Sequence, residues 1–417
     1  MLLRYLVSRG QVSAVGSPAA DPEDRRSAVV ISLSHIANDP RVCRQLRALS
    51  DAGWSVTSVG YGAAPKGDPS WRHVQVPELE HDARPLRRGL RVLGLLAARL
   101  WPGMALPIWH GQPRHRALME AVAGLPAAEL IVANDYTALP AGTALAARTQ
   151  ARLVYDTHEY AAGERDEEAR WRLLYPAYIR AIERSGIEAG AAVTTVSEGI
   201  AVRLAADYGI TQPAVVRNLP FYRSVPGRKA AAEPLVHYHG VIVPGRGLET
   251  LIDSVRLWRP QFRLRIQGPS APDYLEELKA RAQQNGVMDR IVFAPPAPAD
   301  GLVASASEAD IGIHVLPGFS HQNSYALPNK LFEYLMAGLA VVVTDLPEMR
   351  RIVAGRGVGE LVEGERADAV AAAVNAMGAA EIEGYRQAAL ASARELCWER
   401  EKDRFLAVCG PVPSKRG

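Results

Sequence analysis

From Ala28 onward, short apolar runs rich in β-branched residues alternate with longer stretches of helical periodicity, and the alternation occurs in two separate series. Strands that are each followed by a helix are joined by crossovers, so they lie parallel in a sheet covered by helices. The first series of predicted strands is 28–33, 55–60, 130–134, 152–156 and 192–196; the second is 235–239, 263–267, 290–293, 311–315 and 340–344. Between them, 218–234 carries Pro220, Pro226, Gly227 and the pair Arg228-Lys229, the composition of a linker. The expected fold class is therefore α/β, with two Rossmann-like doubly wound parallel-sheet domains at 28–217 and 235–395. Beyond Glu363 the chain reads as mostly helical, and 396–417 is expected to hold a helix crossing back to the first domain, then a tail. Residues 1–27 read as a flexible N-terminal extension. Open α/β sheets bind ligands at the carboxyl ends of their strands, so two such domains are expected to face a central cleft.

Composition narrows the class of activity. With a formal net charge of +3 from 48 Lys+Arg and 45 Asp+Glu, the chain lacks the positive excess of a dedicated nucleic-acid binder. Cys43, Cys397 and Cys409 show no metal spacing, which fits a reducing, cytoplasmic compartment. The apolar start is interrupted by Arg4 and Arg9, short of the continuous run of about 7 to 15 residues in a signal peptide. No window reaches the roughly 20 apolar residues of a membrane span. Walker, G-x-S-x-G, H-E-x-x-H and Asp-x-Asp motifs are all missing. His237 and His239 share one side of a strand as metal ligands would, but no third ligand has suitable spacing, so no metal is expected.

The most informative stretch is 326–345, ALPNKLFEYLMAGLAVVVTD, read as loop, helix and strand. Pro328 suits the first turn of that helix, whose free backbone N–H groups and dipole favour a phosphate. Lys330 adds a positive charge, and Glu333 could accept hydrogen bonds from the vicinal hydroxyls of a ribose. An ordinary helix covering a sheet would carry the same two charges in solvent.

The run Pro328-Asn329-Lys330-Leu331-Phe332-Glu333-Tyr334, followed by Ala337-Gly338 and strand 340–344, resembles the donor-site signature of glycosyltransferase family 4, retaining enzymes of the GT-B fold. His239-Gly240, Arg246-Gly247-Leu248-Glu249, Ile266-Gln267-Gly268, Val196-Ser197-Glu198 and Val216-Arg217-Asn218 resemble further family segments. The resemblance covers roughly residues 28 to 375. It implies that the second domain holds a nucleotide-sugar donor through Gly240, Gly268, Leu327, Pro328, Asn329 and Glu333. Arg246 and Lys330 would neutralise the diphosphate. The first domain would hold the hydroxyl acceptor. Tyr325 stands where the family has an earlier glutamate, Val241 follows Gly240, and Arg246 replaces the usual lysine.

In the first domain, Tyr155-Asp156-Thr157-His158-Glu159-Tyr160 ends a strand, and the resemblance makes His158 the contact to the donor sugar or its phosphate. Ser34-His35-Ile36-Ala37-Asn38-Asp39-Pro40-Arg41 ends another, with Asp39 a plausible N-cap. His35, Arg41 and Asp135 are assigned to acceptor recognition. In 84–101, Arg84, Arg87, Arg88, Arg91 and Arg99 lie on one helical face and Leu86, Leu90, Leu93 and Leu100 on the other. Such a segment could touch an anionic membrane, or pack its leucines on the first domain.

The expected function is retaining transfer of a sugar from a nucleoside diphosphate sugar to a hydroxyl acceptor, without a further cofactor, in bacterial cell-surface polysaccharide or glycoconjugate synthesis. A nucleotide-sugar epimerase and a non-catalytic subunit of the same fold are the alternatives.

Overall fold

The computed structural model describes residues 14–15, 26–64, 71–79, 85–318 and 320–410. The expected extension 1–27 falls almost wholly outside the described residues, as do Arg84 and the tail 411–417. Two compact units emerge: Met1–Ala162 with Glu168–Thr195 and Arg404–Gly417, and Gly163–Glu167 with Val196–Asp403.

In the first unit, parallel strands lie in the order Arg72–Gln75, Ser55–Tyr61, Ser27–His35, Leu130–Asn134, Arg152–Asp156, Ala192–Thr195. Ala14–Val15 adds an antiparallel edge to Arg72–Gln75. In chain order this is 3-2-1-4-5-6, so the sheet reverses direction between Ser27–His35 and Leu130–Asn134. The central runs are buried on both faces, as all-parallel sheets require: every residue of Leu130–Asn134 is buried.

The second unit repeats the order with Ile291–Ala294, Arg263–Gln267, Leu235–His239, Ile311–His314, Ala340–Thr344 and Gly359–Val362, all parallel. Its reversal lies between Leu235–His239 and Ile311–His314. Alternation along Ala340–Thr344 sends Val342 into one core and Val341 and Val343 into the other, so a sheet of period two feeds helices on both faces. One contact is steric in origin. The ring of Tyr334 occupies the space that a side chain on Gly312 would fill. There its hydroxyl donates to the Ile313 carbonyl at 3.2 Å and accepts the His239 N–H at 3.1 Å.

Both doubly wound sheets appear as the alternation requires. Residues 196–217, however, group with the second unit, within which Ser197 Oγ donates to the Tyr325 carbonyl at 3.0 Å and Glu348 accepts the Gly199 N–H at 2.8 Å.

Candidate active site

In the second unit the strand reversal gathers most of the residues assigned to the donor. Gly240, directly after Leu235–His239, has φ +130°, and Gly268, directly after Arg263–Gln267, has φ +156°. A side chain on Gly268 would collide with the Gly240 backbone, while one on Gly240 would lie 2.9 Å from Lys330 Nζ. These two glycines therefore let backbone and ammonium approach where only hydrogen atoms fit. The helix Asn329–Met336 carries Lys330 and Glu333 one turn apart on the same side. Leu331, Phe332, Tyr334, Leu335 and Met336 are buried and fix the other side. Pro328 sits one position earlier than expected. It is the N-cap, with extended ψ 141°, and the first helical residue is Asn329. Pro328 lacks an N–H, and the donors at the helix start belong to Asn329 and its successors. Leu327 is buried, whereas Asn329 is exposed.

The Lys330 ammonium lies 5.3 Å from the centroid of the Tyr238 ring. Burial first, and then repulsion from Arg246, push its pKa down to about 8, against the pull of Glu333. Lys330 at the Gly240 position, with Arg246 near enough to repel it and neither in an ion pair among the described residues, forms a place for a dianion. Arg246 itself is exposed. His314, at the end of its strand, is buried. Burial and the positive charges of Lys330 and Arg246 push its pKa well below the usual value, which keeps the ring neutral. Glu333 is bound at Oε2 by His239 Nε2 at 2.6 Å. Tyr325, at the position of the family's earlier glutamate, lays its ring against Gly199 at the start of the helix Glu198–Tyr208.

The first unit has its own cluster at the corresponding reversal. His158 and Asp135 both take left-handed backbone, φ +55° and +65°, a strained state for residues other than glycine. His158 Nε2 lies 3.1 Å from Asn134 Oδ1, and its Nδ1 lies 3.6 Å from Asp135. The Asp135 carboxyl is pushed up by burial, and further by Asp156 and Asp39, against His158. Because 41% of its side-chain surface stays open, water tempers that effect. His35 is half exposed and points to Glu78 at 3.2 Å. Asp39 caps the helix Pro40–Asp51 through Arg41 N and Val42 N, both at 3.1 Å, as the sequence suggests.

Arg41 departs from its expected role. Its Nε and Nη2 are bound by the two oxygens of Asp156 at 2.7 and 2.8 Å, and the side chains are 4% and 0% exposed. A guanidinium so held braces the strand end beneath His158 and does not reach for an acceptor. Burial alone would raise the Asp156 pKa, but Arg41, by charge and hydrogen bonding, and His158 hold it below the usual range. Gln45 Nε2 also binds this carboxylate. Nothing local in the sequence announces the pair, since its members are 115 positions apart.

Two family models match: the glycosyl transferase 4-like domain over residues 39–220 and glycosyl transferases group 1 over residues 233–379. The chain belongs to the group 1, family 4-like glycosyltransferases. The D-inositol 3-phosphate glycosyltransferase of Jonesia denitrificans is 30% identical over 184 residues, which span 42% of this chain and 42% of that protein. Sucrose-phosphate synthase from Thermosynechococcus elongatus superposes with a TM-score of 0.70 at 17% identity, covering 92% of this chain and 98% of that one. Anabaena HepE in complex with UDP-glucose gives 0.64 at 14% identity, over 91% and 98%. WaaG, a glycosyltransferase involved in lipopolysaccharide biosynthesis, gives 0.61 at 14% identity, over 92% and 100%. These likenesses identify the glycosyltransferase fold as GT-B.

Proposed function

We propose that this glycosyltransferase moves a sugar from a nucleoside diphosphate sugar to a hydroxyl acceptor with retention of anomeric configuration. The observation that carries this reading is Lys330, near the start of Asn329–Met336, set against Gly240 with Arg246 close enough to repel it. In that role Lys330 and Arg246 take up the negative charge that grows on the diphosphate as the glycosidic bond breaks. Glu333 receives a ribose hydroxyl. The departing phosphate oxygen accepts the acceptor's proton on the same face, so the reaction uses positioning and charge stabilisation and no protein nucleophile. His158 would contact the sugar or its phosphate, and His35 and Asp135 the acceptor.

HepE was solved with UDP and with UDP-glucose, which makes uridine diphosphate sugars the first donors to test. The part WaaG plays in lipopolysaccharide biosynthesis favours a bacterial cell-surface glycan or glycolipid as acceptor. The decisive experiment screens nucleotide sugars by thermal shift and then follows products by mass spectrometry and anomeric NMR. An inverted product, or free epimerised sugar nucleotide without acceptor, would reject the proposal. Transfer should persist in excess EDTA, and loss restored by magnesium or manganese would assign the leaving-group charge to a cation.

The helix Pro85–Leu100 supports a membrane contact. Leu90, Leu93 and Leu100 are 59%, 63% and 69% exposed, so they do not pack on the first unit; Leu95 and Ala98 do that. Trp101, Met104 and Leu173 add exposed apolar surface, and Arg99 Nη1 donates to the Leu173 carbonyl at 3.4 Å. Residues 83–119 hold seven arginines and no Asp or Glu. That combination suits the surface of an anionic bilayer, although among the described residues no helix is long and apolar enough to cross one. Leu93→Glu with Trp101→Glu should abolish sedimentation with phosphatidylglycerol vesicles; undiminished sedimentation would discard the contact.

A further inference from the structure

His239 closes the strand Leu235–His239 and is 2% exposed. It is held from both ends. Its backbone N–H donates to the Tyr334 hydroxyl, and its ring lies 4.8 Å from the Tyr334 ring centroid. Its Nε2 lies 2.6 Å from Glu333 Oε2. A carboxylate only accepts, so Nε2 carries the proton. The other nitrogen, Nδ1, is buried without a partner. With no acceptor at Nδ1, the ring's one matched N–H is the one at Nε2.

The groups around this ring do not compete for its proton. His237, 5.4 Å away between centroids, has its pKa pushed down to about 2 by burial, Arg265 and His239. His314, Lys330 and Arg246, which act on one another through their charges, are neutral or cationic. Glu333 is therefore the acceptor that His239 serves, and one of its two oxygens is committed before any ligand arrives. Its side chain is 19% exposed, and Oε1 has no partner among the described residues.

We propose that His239 is a positioning residue for donor recognition: by clamping Oε2 it fixes the Glu333 carboxylate so that Oε1 alone is presented to the ribose diol. The preference for a nucleotide with ribose hydroxyls over one without them then depends on an imidazole that never touches the nucleotide. This inference rests on the donor reading above and refines it, since Glu333 no longer meets two hydroxyls with two free oxygens.

The test measures binding of UDP, ADP and GDP, each beside its 2′,3′-dideoxy counterpart, by titration calorimetry. The nucleotide bound tightest by the unaltered protein is carried forward. The unaltered protein should prefer the ribonucleotide by roughly tenfold or more, the scale of a hydrogen bond to a charged group. Glu333→Gln and His239→Leu should each collapse that ratio toward one, with the loss falling on the ribonucleotide. His239→Gln, whose amide can still donate to Oε2, should retain most of it. If Glu333→Gln removes the preference but His239→Leu leaves it intact, the positioning role is overturned while the donor reading stands. Equal losses for both nucleotides in His239→Leu would reduce His239 to a packing residue. A preference untouched by Glu333→Gln, or no ribonucleotide binding at all, would overturn the donor reading and this inference with it.

Discussion

Raising the pH through the Lys330 pKa should release the donor from this protein. Lys330 ionises at about 8 in the empty site, lowered by burial and by Arg246. A bound diphosphate stabilises the ammonium and raises that value, so binding takes up a proton above pH 8. The sign follows: full affinity holds below the empty-site pKa and declines as pH rises through it. With a one-proton linkage, affinity should drop approaching tenfold per pH unit above about pH 8, until the pKa of the occupied site is reached. The two neighbouring tyrosines are silent in this window. Tyr238 is pushed up to about 12 and Tyr334 well above its usual value, both chiefly by burial. Calorimetric titration with ADP between pH 7 and 9 reads the effect. Lys330→Arg, which keeps its charge throughout, should flatten the profile even where its longer side chain weakens binding. A flat profile in the unaltered protein, or an undiminished slope in Lys330→Arg, would refute the assignment of the proton to Lys330.

Other expectations follow from single contacts. Glu333→Gln should weaken nucleotide-sugar binding by roughly 1.5 to 3 kcal/mol, the value of a hydrogen bond to a charged group, as measured by equilibrium binding. Arg246→Ala should lower kcat by about 100-fold, the scale for losing one preorganised donor, with Arg246→Lys recovering part of it in steady-state kinetics. Asp156→Asn leaves the buried Arg41 guanidinium uncompensated and should cost about 3 to 5 kcal/mol in denaturant unfolding. Because the Asp156 pKa is held low, its contribution is present above the ordinary carboxylate range and is lost as pH falls below it.

Much of the architecture is legible because parallel strands buried on both faces are apolar runs. Leu130–Asn134, Arg152–Asp156, Leu235–His239, Arg263–Gln267 and Ala340–Thr344 have the bounds their sequences suggest. Gly359–Val362 escapes notice because an edge strand needs no such run, and Arg72–Gln75, one strand in from the edge, because it reads RHVQ and holds a single apolar residue. Lys330 and Glu333 could be placed together from their spacing on one helix. The partners that orient them could not, since Glu333 meets His239 across 94 positions and Arg41 meets Asp156 across 115. Helical periodicity set a leucine face of Pro85–Leu100 apart from its arginines, but it cannot say which side meets the protein, and Leu90, Leu93 and Leu100 turn outward.

The ring of Tyr334 stacked into the vacancy at Gly312 ties two positions of the chain into one unit of inheritance. Any side chain at 312 must evict a fully buried aromatic, and any smaller residue at 334 opens a hole over the sheet and frees the His239 amide and the Ile313 carbonyl. Neither position has a permissive single step, so a library that varies one at a time would score both as intolerant. Only joint variation would uncover the combinations that still hold the strand end in place. The same coupling offers a route for retuning the donor pocket from beneath, since the tyrosine anchors the residue that orients Glu333 while itself lying out of reach of any ligand.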